Sequence, residues 1–220
     1  MSQFRTRSKL LLTTALMTLF TVLVFPTGGA LAADIPIDCV TPGQDLQTAI
    51  NAAGIGDTII IDDAATCAGN FDVNRPLTIR AATAAGATLD GGGANTGPVV
   101  SVTTGGAVTL QDLTITGGVN AAPNSGYGGG VFIGGATVTI VDTTITGNSA
   151  DSGAGIYSGG TLVVDGGALT DNTSVINGGG IFSNATATLS GVTIGSVALP
   201  NTAADGGGIY NQSPGAVSYT

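Results

Sequence analysis

The sequence contains no histidine, no tryptophan and no glutamate. Without histidine, the chain cannot build a Ser-His-Asp or Cys-His nucleophile system, and it cannot hold zinc through imidazole ligands. The absence of glutamate and the presence of a single lysine remove two of the good helix formers and argue against a helical protein. The frequent threonine, valine, isoleucine and glycine residues instead favour strands joined by tight turns.

Positive charge is also scarce, because the 220 residues carry only five basic side chains against fourteen acidic ones, for a net charge of −9. The basic residues are Arg5, Arg7, Lys9, Arg75 and Arg80. A chain this acidic repels the phosphates of nucleic acids and the surfaces of anionic membranes. We therefore expect no nucleic-acid partner.

A long apolar run occurs only near the N-terminus, at residues 10–25, where three basic residues precede it. Ala30-Leu31-Ala32 then offers the small residues that a signal peptidase reads. This layout predicts a secretory signal peptide over residues 1–32 and a protein that is secreted or held at the cell surface. A membrane anchor is the alternative, but a run of sixteen mainly apolar residues falls short of the roughly 20 that span a bilayer. No second such run follows, so we expect no membrane insertion of the mature segment.

The two cysteines, Cys39 and Cys67, both follow the predicted signal peptide. Export to an oxidising compartment makes a disulfide between them the expected state, and two reduced, buried thiols are the alternative. Two cysteines in a chain without histidine make a poor metal site. The sequence thus predicts one disulfide.

Residues 33–56 are predicted to form an N-terminal segment with one short capping helix over 42–53. Thr41 is placed to cap this helix, Pro42 suits its first position and Gln44 completes a capping box. Four apolar residues recur at helical spacing: Leu46, Ala49, Ile50 and Ala53. We expect this stripe to cover the open end of the strands that follow.

From residue 128 onward, a glycine-rich unit that ends in an aromatic residue recurs four times. The aromatic positions lie 25, 25 and 28 residues apart: Phe132, Tyr157, Phe182 and Tyr210. Short runs in which apolar and polar residues alternate follow the units, as at residues 137–140. About three strands in every 25 residues, with glycine between them, are typical of a solenoid.

The alternation of apolar and polar residues decides which solenoid is expected. A period of two excludes helical repeats, and propeller blades need four strands in roughly 40–45 residues. We therefore predict an all-β, parallel β-helix over residues 57–220, in which about six to seven coils stack with their apolar side chains inside. The sequence stops before the third strand of its last coil, so we expect a solenoid that is truncated at the C-terminus.

Several of these motifs resemble a known class of secreted proteins. Residues 46–80 and the run Thr-Leu-Asp-Gly-Gly-Gly at 88–93 resemble the first coils of right-handed parallel β-helix proteins of the pectate-lyase-like class. The Gly-Gly-Gly-Ile-Phe/Tyr units resemble the repeats of the polymorphic outer membrane protein family. The resemblance implies a right-handed β-helix with a role in surface display, adhesion or polysaccharide work, although a fold alone does not fix a function.

The favoured function is structural or adhesive display, and a polysaccharide lyase or glycoside hydrolase is the alternative. A lyase needs a base, usually lysine or arginine, yet only Arg75 and Arg80 follow the signal peptide. A hydrolase needs two carboxylates ~5–9.5 Å apart. Asp112, Asp142 and Asp165 instead occupy one recurring place after the alternating runs, as a repeated turn residue does. The sequence therefore favours a protein that is not an enzyme.

The recurring aromatic residues have two interpretations. They form a packing column, or they form an exposed ladder that receives a ligand. The apolar residues beside them, such as Val131 and Ile156, suit either arrangement.

The working surface is expected where the repeat varies in length, at residues 117–127, 147–152, 171–177 and 195–205, which we call the loop ridge. Equivalent segments of a solenoid stack on one side, and insertions confined to one face often mark a binding face. The candidate ligand residues of the loop ridge are Asn120, Asn124, Asn148, Asp151, Asp171, Asn172, Asn201 and Asp205. Their side chains suit sugar hydroxyls, so glycans or host and cell-surface molecules are the expected partners.

No cofactor is expected. The many aspartates and asparagines leave weak calcium binding open, although the Gly-Gly-x-Gly-x-Asp repeat of calcium-binding β-helices does not occur in register.

Overall fold

Short parallel strands, stacked coil upon coil, make up most of the structure. The computed structural model describes residues 31–94, 96–103, 105–121, 126–212 and 216–220. The signal peptide predicted for residues 1–32 lies almost wholly outside these ranges, whereas Ala32–Thr220 cluster as one compact unit. Within the described ranges, no helix is long and apolar enough to cross a membrane.

The largest sheet, sheet A, contains eight parallel strands. In order across the sheet they are β1 (Asp34–Ile37), β2 (Thr58–Ile61), β5 (Leu77–Ala81), β8 (Ala107–Gln111), β12 (Thr137–Val141), β16 (Thr161–Asp165), β20 (Ala187–Ser190) and β23 (Val217–Tyr219).

Two further parallel sheets contain six strands each. Sheet B consists of β3 (Thr66–Ala68), β6 (Ala87–Asp90), β9 (Leu113–Thr116), β13 (Thr144–Thr146), β17 (Ala168–Thr170) and β21 (Thr193–Ile194). Sheet C consists of β4 (Phe71–Val73), β7 (Val100–Val102), β11 (Val131–Ile133), β15 (Ile156–Ser158), β19 (Ile181–Ser183) and β22 (Ile209–Asn211).

A small fourth sheet, sheet D, lies between sheets B and C along the chain. Its strands are β10 (Val119–Asn120), β14 (Ser149–Ser152) and β18 (Thr173–Asn177). One strand from each of sheets A, B and C makes a coil, so the described chain forms six coils, with β1 before them and β23 after them. This arrangement confirms the predicted all-β, parallel β-helix and its coil number.

The core is a set of apolar columns that run along the stack. In sheet A, each strand from β2 to β20 alternates buried and outward side chains, and the same inward position is occupied in successive coils by Ile59, Ile79, Leu110, Ile140, Val164 and Leu189. All six are at most 1% exposed. Because each side chain is covered by its equivalents in the coils above and below, the coils stabilise one another rather than folding singly.

The glycine-rich units turn the chain into sheet C. The first glycine of each unit has a positive φ of 62–68°: Gly128, Gly153, Gly178 and Gly206. A Cβ atom at Gly153 would lie 2.6 Å from the carbonyl oxygen of Ile156. Only glycine fits such a turn, where the backbone is left-handed and folds back onto itself.

A second recurring turn separates sheets A and B. Asp112 and Asp142 adopt left-handed φ values of 54° and 44° there, and the register places Gly166 at the same point of the next coil. The sequence had indicated that Asp165 shares the position of Asp112 and Asp142, and this prediction is wrong. Asp165 is the last residue of β16 and pairs with Val141.

The predicted capping helix exists but is shorter than expected. Helix α1 spans Leu46–Ala52, and its N-cap is Asp45, whose carboxylate accepts a 2.8 Å hydrogen bond from the Thr48 N–H. The predicted start at residue 42 is wrong, because Gly43 has a φ of +87° that no helix admits. Thr41 instead turns back on Asp38, donating its N–H and its hydroxyl to that carboxylate.

The apolar stripe of α1 packs as predicted. Leu46, Ala49 and Ile50 are buried, and the helix contacts β1 and β4 at the N-terminal end of the stack. Strand β1 itself was not predicted. It pairs in parallel with β2, from Asp34–Thr58 to Ile37–Ile61, and so extends sheet A ahead of the first coil.

The predicted disulfide is present. Cys39, just after β1, is joined to Cys67 in β3, with the two Cα atoms 5.1 Å apart. Cys67 is buried in the core and Cys39 packs against it. The bond ties the chain that precedes α1 to the first coil.

Candidate functional site

The loop ridge contains short strands as well as loops. Strands β10, β14 and β18 form sheet D within its first three segments. Single bridges extend this pairing at Thr173–Thr202 and at Asn177–Asp205. The segments therefore do stack on one side of the solenoid, as expected, but much of their polar surface is used in pairing.

Four of the candidate ligand residues point into the protein, so that part of the prediction is wrong. Asn120, Asn148 and Asn172 are at most 1% exposed, and Asn201 is 9% exposed. Asn124 lies outside the described residues. A buried polar side chain is stable only when its donors and acceptors are satisfied, and here the repeat itself supplies the partners.

Asn148, Asn172 and Asn201 form an asparagine ladder along the stack. The Nδ2 of Asn148 donates to Oδ1 of Asn172 at 3.0 Å, and the Nδ2 of Asn172 donates to Oδ1 of Asn201 at 3.0 Å. Each Nδ2 also donates to a main-chain carbonyl of the preceding coil; for Asn172 and Asn201 these are Ile145 and Leu169. The ladder satisfies backbone groups where the chain leaves sheet B, so its role is structural.

Asn120 has a similar structural role one coil earlier. Its Nδ2 donates to the carbonyl oxygen of Tyr127 at 2.6 Å and to that of Gly128. These two hydrogen bonds fix the backbone that carries the Tyr127 ring. Asn120 is thus a support for the surface rather than a part of it.

The three aspartates of the loop ridge remain accessible. Asp171 and Asp205 are exposed, and Asp151 is half-buried. Asp205 is anchored through its backbone, because its N–H donates to Ile176 and its carbonyl accepts from Gly178. These three stay candidate ligand residues.

The aromatic residues form a column on the outer face of sheet C. Phe132, Tyr157, Phe182 and Tyr210 are in register, and they alternate with inward residues such as Ile156 and Ile181. Successive ring centroids lie 5.5, 5.1 and 5.4 Å apart, with interplanar angles of 10°, 11° and 21°. The inner rings therefore cover one another's faces, which favours the packing interpretation over a ladder of free rings.

Tyr127 joins this column from the side of sheet D. Its ring centroid lies 4.7 Å from that of Tyr157, at an angle of 34°. Tyr127 is 44% exposed, so much of its ring faces solvent. Burial, and to a lesser degree the nearby Tyr127, raise the pKa of Tyr157, which also bonds to the Asn184 side chain. Tyr157 therefore stays neutral and acts as the support on which Tyr127 rests.

A cleft opens between sheet D and the aromatic column, and we call it the Tyr127 cleft. Its volume is about 230 Å³. The lining residues are Tyr127, Asp151, Ser152, Ile176, Asn177, Phe182 and Gln212. The lining thus combines apolar and aromatic side chains with a carboxylate, two amides and a hydroxyl. This combination, apolar area with a few polar groups, is typical of small-molecule sites.

Of the predicted ligand residues that the structure describes, only Asp151 lines this cleft. Tyr127 and Ile176 were missed because neither belongs to the repeated pattern. A signal was present for Ile176, since Val175-Ile176 places two apolar residues in succession on a strand, and alternation cannot bury both. Both are in fact exposed, Val175 by 65% and Ile176 by 50%.

A larger cavity of about 360 Å³ lies beside the sixth coil, lined mainly by Ile194, Val197 and Pro200. Its lining carries no charged side chain. Among the described residues, no group of three or more acidic or cysteine side chains is placed to hold a metal ion.

The basic residues lie at the other end of the described chain. The Arg75 guanidinium donates to the carbonyl of Ala53 and to the side chain of Asn74. Arg80 donates to the carbonyls of Ala81 and Ala82. Both thus contact main-chain or neutral groups in the first two coils, and neither lines the Tyr127 cleft.

Comparisons with known proteins identify no relative of this chain. No protein-family model matches the chain, and neither a curated protein nor a solved structure matches it. The functional argument therefore depends on the geometry of the site.

Proposed function

We propose that this protein is an exported β-helix that displays a glycan-binding face, in a structural or adhesive role at the cell surface or outside the cell. The observation that carries the proposal is the Tyr127 cleft, in which an exposed tyrosine ring and Ile176 lie among amide and carboxylate groups. Sugars present apolar C–H faces and polar hydroxyl edges, so a mixed wall of this kind complements them.

The supports of the cleft favour a preformed site. The Tyr127 ring rests on Tyr157, and the Tyr127 carbonyl is held by the buried Asn120. The facing wall comes from β14 and β18, which pair with each other in sheet D. A site that is ordered before binding loses less conformational entropy when the ligand arrives.

Export is supported by two features. The disulfide between Cys39 and Cys67 is of the kind that persists in oxidising compartments, and the sequence pattern of residues 1–32 is that of a secretory signal. The pectate-lyase-like and polymorphic outer membrane protein resemblances agree with this localisation.

The enzyme alternative has less support. A lyase base would be lysine or arginine, and the two arginines after the signal region donate to groups outside the cleft. The carboxyl groups with a resolved pKa shift are all shifted downward, at Asp38, Asp45, Asp57 and Asp63. A glycosidase needs an acid whose pKa is raised, and these four have the opposite shift.

The proposal is tested by retention of the secreted full chain on an array of immobilised neutral, basic and acidic polysaccharides. We expect retention on at least one, with Tyr127→Ala weakening it at least ~fivefold, because truncating a central aromatic anchor costs more than about 1 kcal/mol. Tyr219→Ala is the matched control, since Tyr219 is 62% exposed and lies in β23, outside the cleft.

Two results would contradict the proposal. Retention on no polysaccharide would overturn glycan binding. Release of soluble oligosaccharides from a retained polysaccharide would support the enzyme alternative.

A further inference from the structure

From the charge of the Tyr127 cleft we infer its ligand class: neutral and amine-bearing sugars are bound, and sugars that carry carboxylates are rejected. This inference rests on the proposed glycan binding and adds the chemistry of the ligand. It departs from the acidic polysaccharides that a pectate-lyase-like resemblance would suggest.

The first step is the charge around the cleft. Asp151 lines it, and Asp205 is brought beside it by the bridge between Asn177 and Asp205. At physiological ionic strength, charges within about 8 Å of each other are little screened. A carboxylate on a bound sugar would therefore be repelled, whereas an ammonium group would be attracted.

The second step is that no basic side chain lines the cleft to bind the carboxylate of a sugar. Recognition of carboxylates typically uses arginine, whose planar guanidinium matches both oxygens. The described residues include only Arg75 and Arg80 as basic side chains. Both belong to the first two coils, where they donate to carbonyl groups, while the cleft is formed by coils three to six. No cation of the described chain is thus in place to receive a uronate.

The third step is the apolar wall. Tyr127 and Ile176, which are 44% and 50% exposed, offer a surface on which the C–H face of a sugar ring can pack. Asn177 and Gln212 are neutral amides, which both donate and accept hydrogen bonds and so suit hydroxyl groups. A volume of about 230 Å³ suits a short stretch of a glycan chain rather than a large cofactor.

The test compares three β-1,4-linked tetrasaccharides that share one backbone: glucose, glucosamine and glucuronate. Calorimetric titration of the secreted full chain is expected to give the tightest binding for glucosamine. Glucose should bind more weakly, and glucuronate at least ~tenfold more weakly than glucose, a difference of about 1.4 kcal/mol.

Two variants separate local charge from net charge. Asp151→Asn should bring the three affinities together, by weakening glucosamine and strengthening glucuronate. Asp165→Asn removes the same charge from an exposed position at the end of β16 in sheet A and should leave the order of the three affinities unchanged.

Tyr127→Ala should weaken the binding of all three ligands by a similar factor, because it removes apolar contact and no charge. Thermal unfolding of each variant, followed by circular dichroism, checks that it is folded.

The outcomes test the ligand class and the proposed glycan binding separately. Glucuronate binding as tightly as glucose overturns the ligand class, and so does an equal effect of Asp165→Asn and Asp151→Asn. Binding of none of the three tetrasaccharides by a protein that is retained on the polysaccharide array overturns the ligand class alone. Failure in both assays overturns glycan binding as well.

Discussion

At the scale of single residues, asparagine and glycine hold the coils together. Asn172 is fully buried and takes part in hydrogen bonds with Asn148, Asn201 and the carbonyl of Ile145. Within the described chain, no buried side-chain nitrogen or oxygen lacks a hydrogen-bond partner. The polar groups of the interior thus add specificity without leaving groups unsatisfied.

Asn172→Ala is expected to be strongly destabilising. The change removes the hydrogen bonds that the Asn172 side chain makes with the Ile145 carbonyl, the Asn148 main-chain N–H and the Asn201 side chain, at about 1–3 kcal/mol for each buried group left unsatisfied. We expect a loss of more than about 3 kcal/mol in the free energy of unfolding, measured by denaturant titration. Asn51→Ala is the control, because Asn51 is exposed on α1 and alanine is favoured in a helix. Equal stability of the two variants would show that the ladder contributes nothing.

At the scale of elements, the sequence predicted the repeated strands well and the elements that occur once only in part. The parallel sheets followed from alternating residues such as Val138 and Ile140, which have equivalents in coil after coil. Strand β1 has no such pattern, and its partner β2 lies 24 residues away. Helix α1 was predicted, but the left-handed Gly43 moved its start.

The candidate site was predicted less well than the fold. The sequence does not distinguish an asparagine that faces solvent from one that is buried in a ladder, so Asn148 and Asn172 were mistaken for surface ligands. The Tyr127 cleft depends on contacts between residues far apart in sequence, such as Tyr127 and Tyr157, whose meeting requires the register of the coils. Residue pattern alone does not reveal that register.

The N-terminal elements are held by carboxylates that accept backbone N–H groups. Asp57 accepts from Ala33 and Gly54, at 2.8 and 2.7 Å. Asp45 accepts from Thr48, and Asp63 accepts from Thr83. These hydrogen bonds lower the pKa of each carboxyl group below its ordinary value of 3.8.

We therefore expect the N-terminal elements to loosen in acid. Because the folded pKa values are lowered, the stabilisation is complete above pH 3.8 and is lost as the pH falls through the lowered pKa. In NMR titrations, the amide signals of Gly54 and Thr48 should shift with midpoints below that value. Asp57→Asn should abolish the shift of Gly54 and leave that of Thr48. Midpoints above 3.8 would contradict this account.

At the scale of the whole molecule, stability is shared between neighbouring coils. The inward columns of sheet A run through all six coils, and coils three to five are covered by a coil on each side. In such a stack, each unit gains its stability from the interfaces with its neighbours. The middle of the described stack should therefore be its most stable part.

Hydrogen exchange measures this distribution. Amides of β8 and β12 should exchange most slowly, and those of β22 and β23 faster, because opening a middle coil breaks two interfaces and opening the last one breaks fewer. Leu110→Ala, which creates a cavity in the third coil, should accelerate exchange in β8 and β12 more than in β22. Uniform exchange across the six coils would instead indicate a single cooperative unit.

The asparagine ladder makes the length of this molecule an adjustable quantity. From Thr137 to Thr161 and from Asn148 to Asn172, the register advances by the same 24 residues. A duplicated copy of residues 137–160 would therefore stay in register, with Asn148 meeting a second Asn148 in place of Asn172 and Ile140 a second Ile140 in place of Val164. Each copy would lengthen the stack by one strand spacing, about 4.8 Å. Recombination between repeats would thus change the number of coils and keep the asparagine ladder continuous.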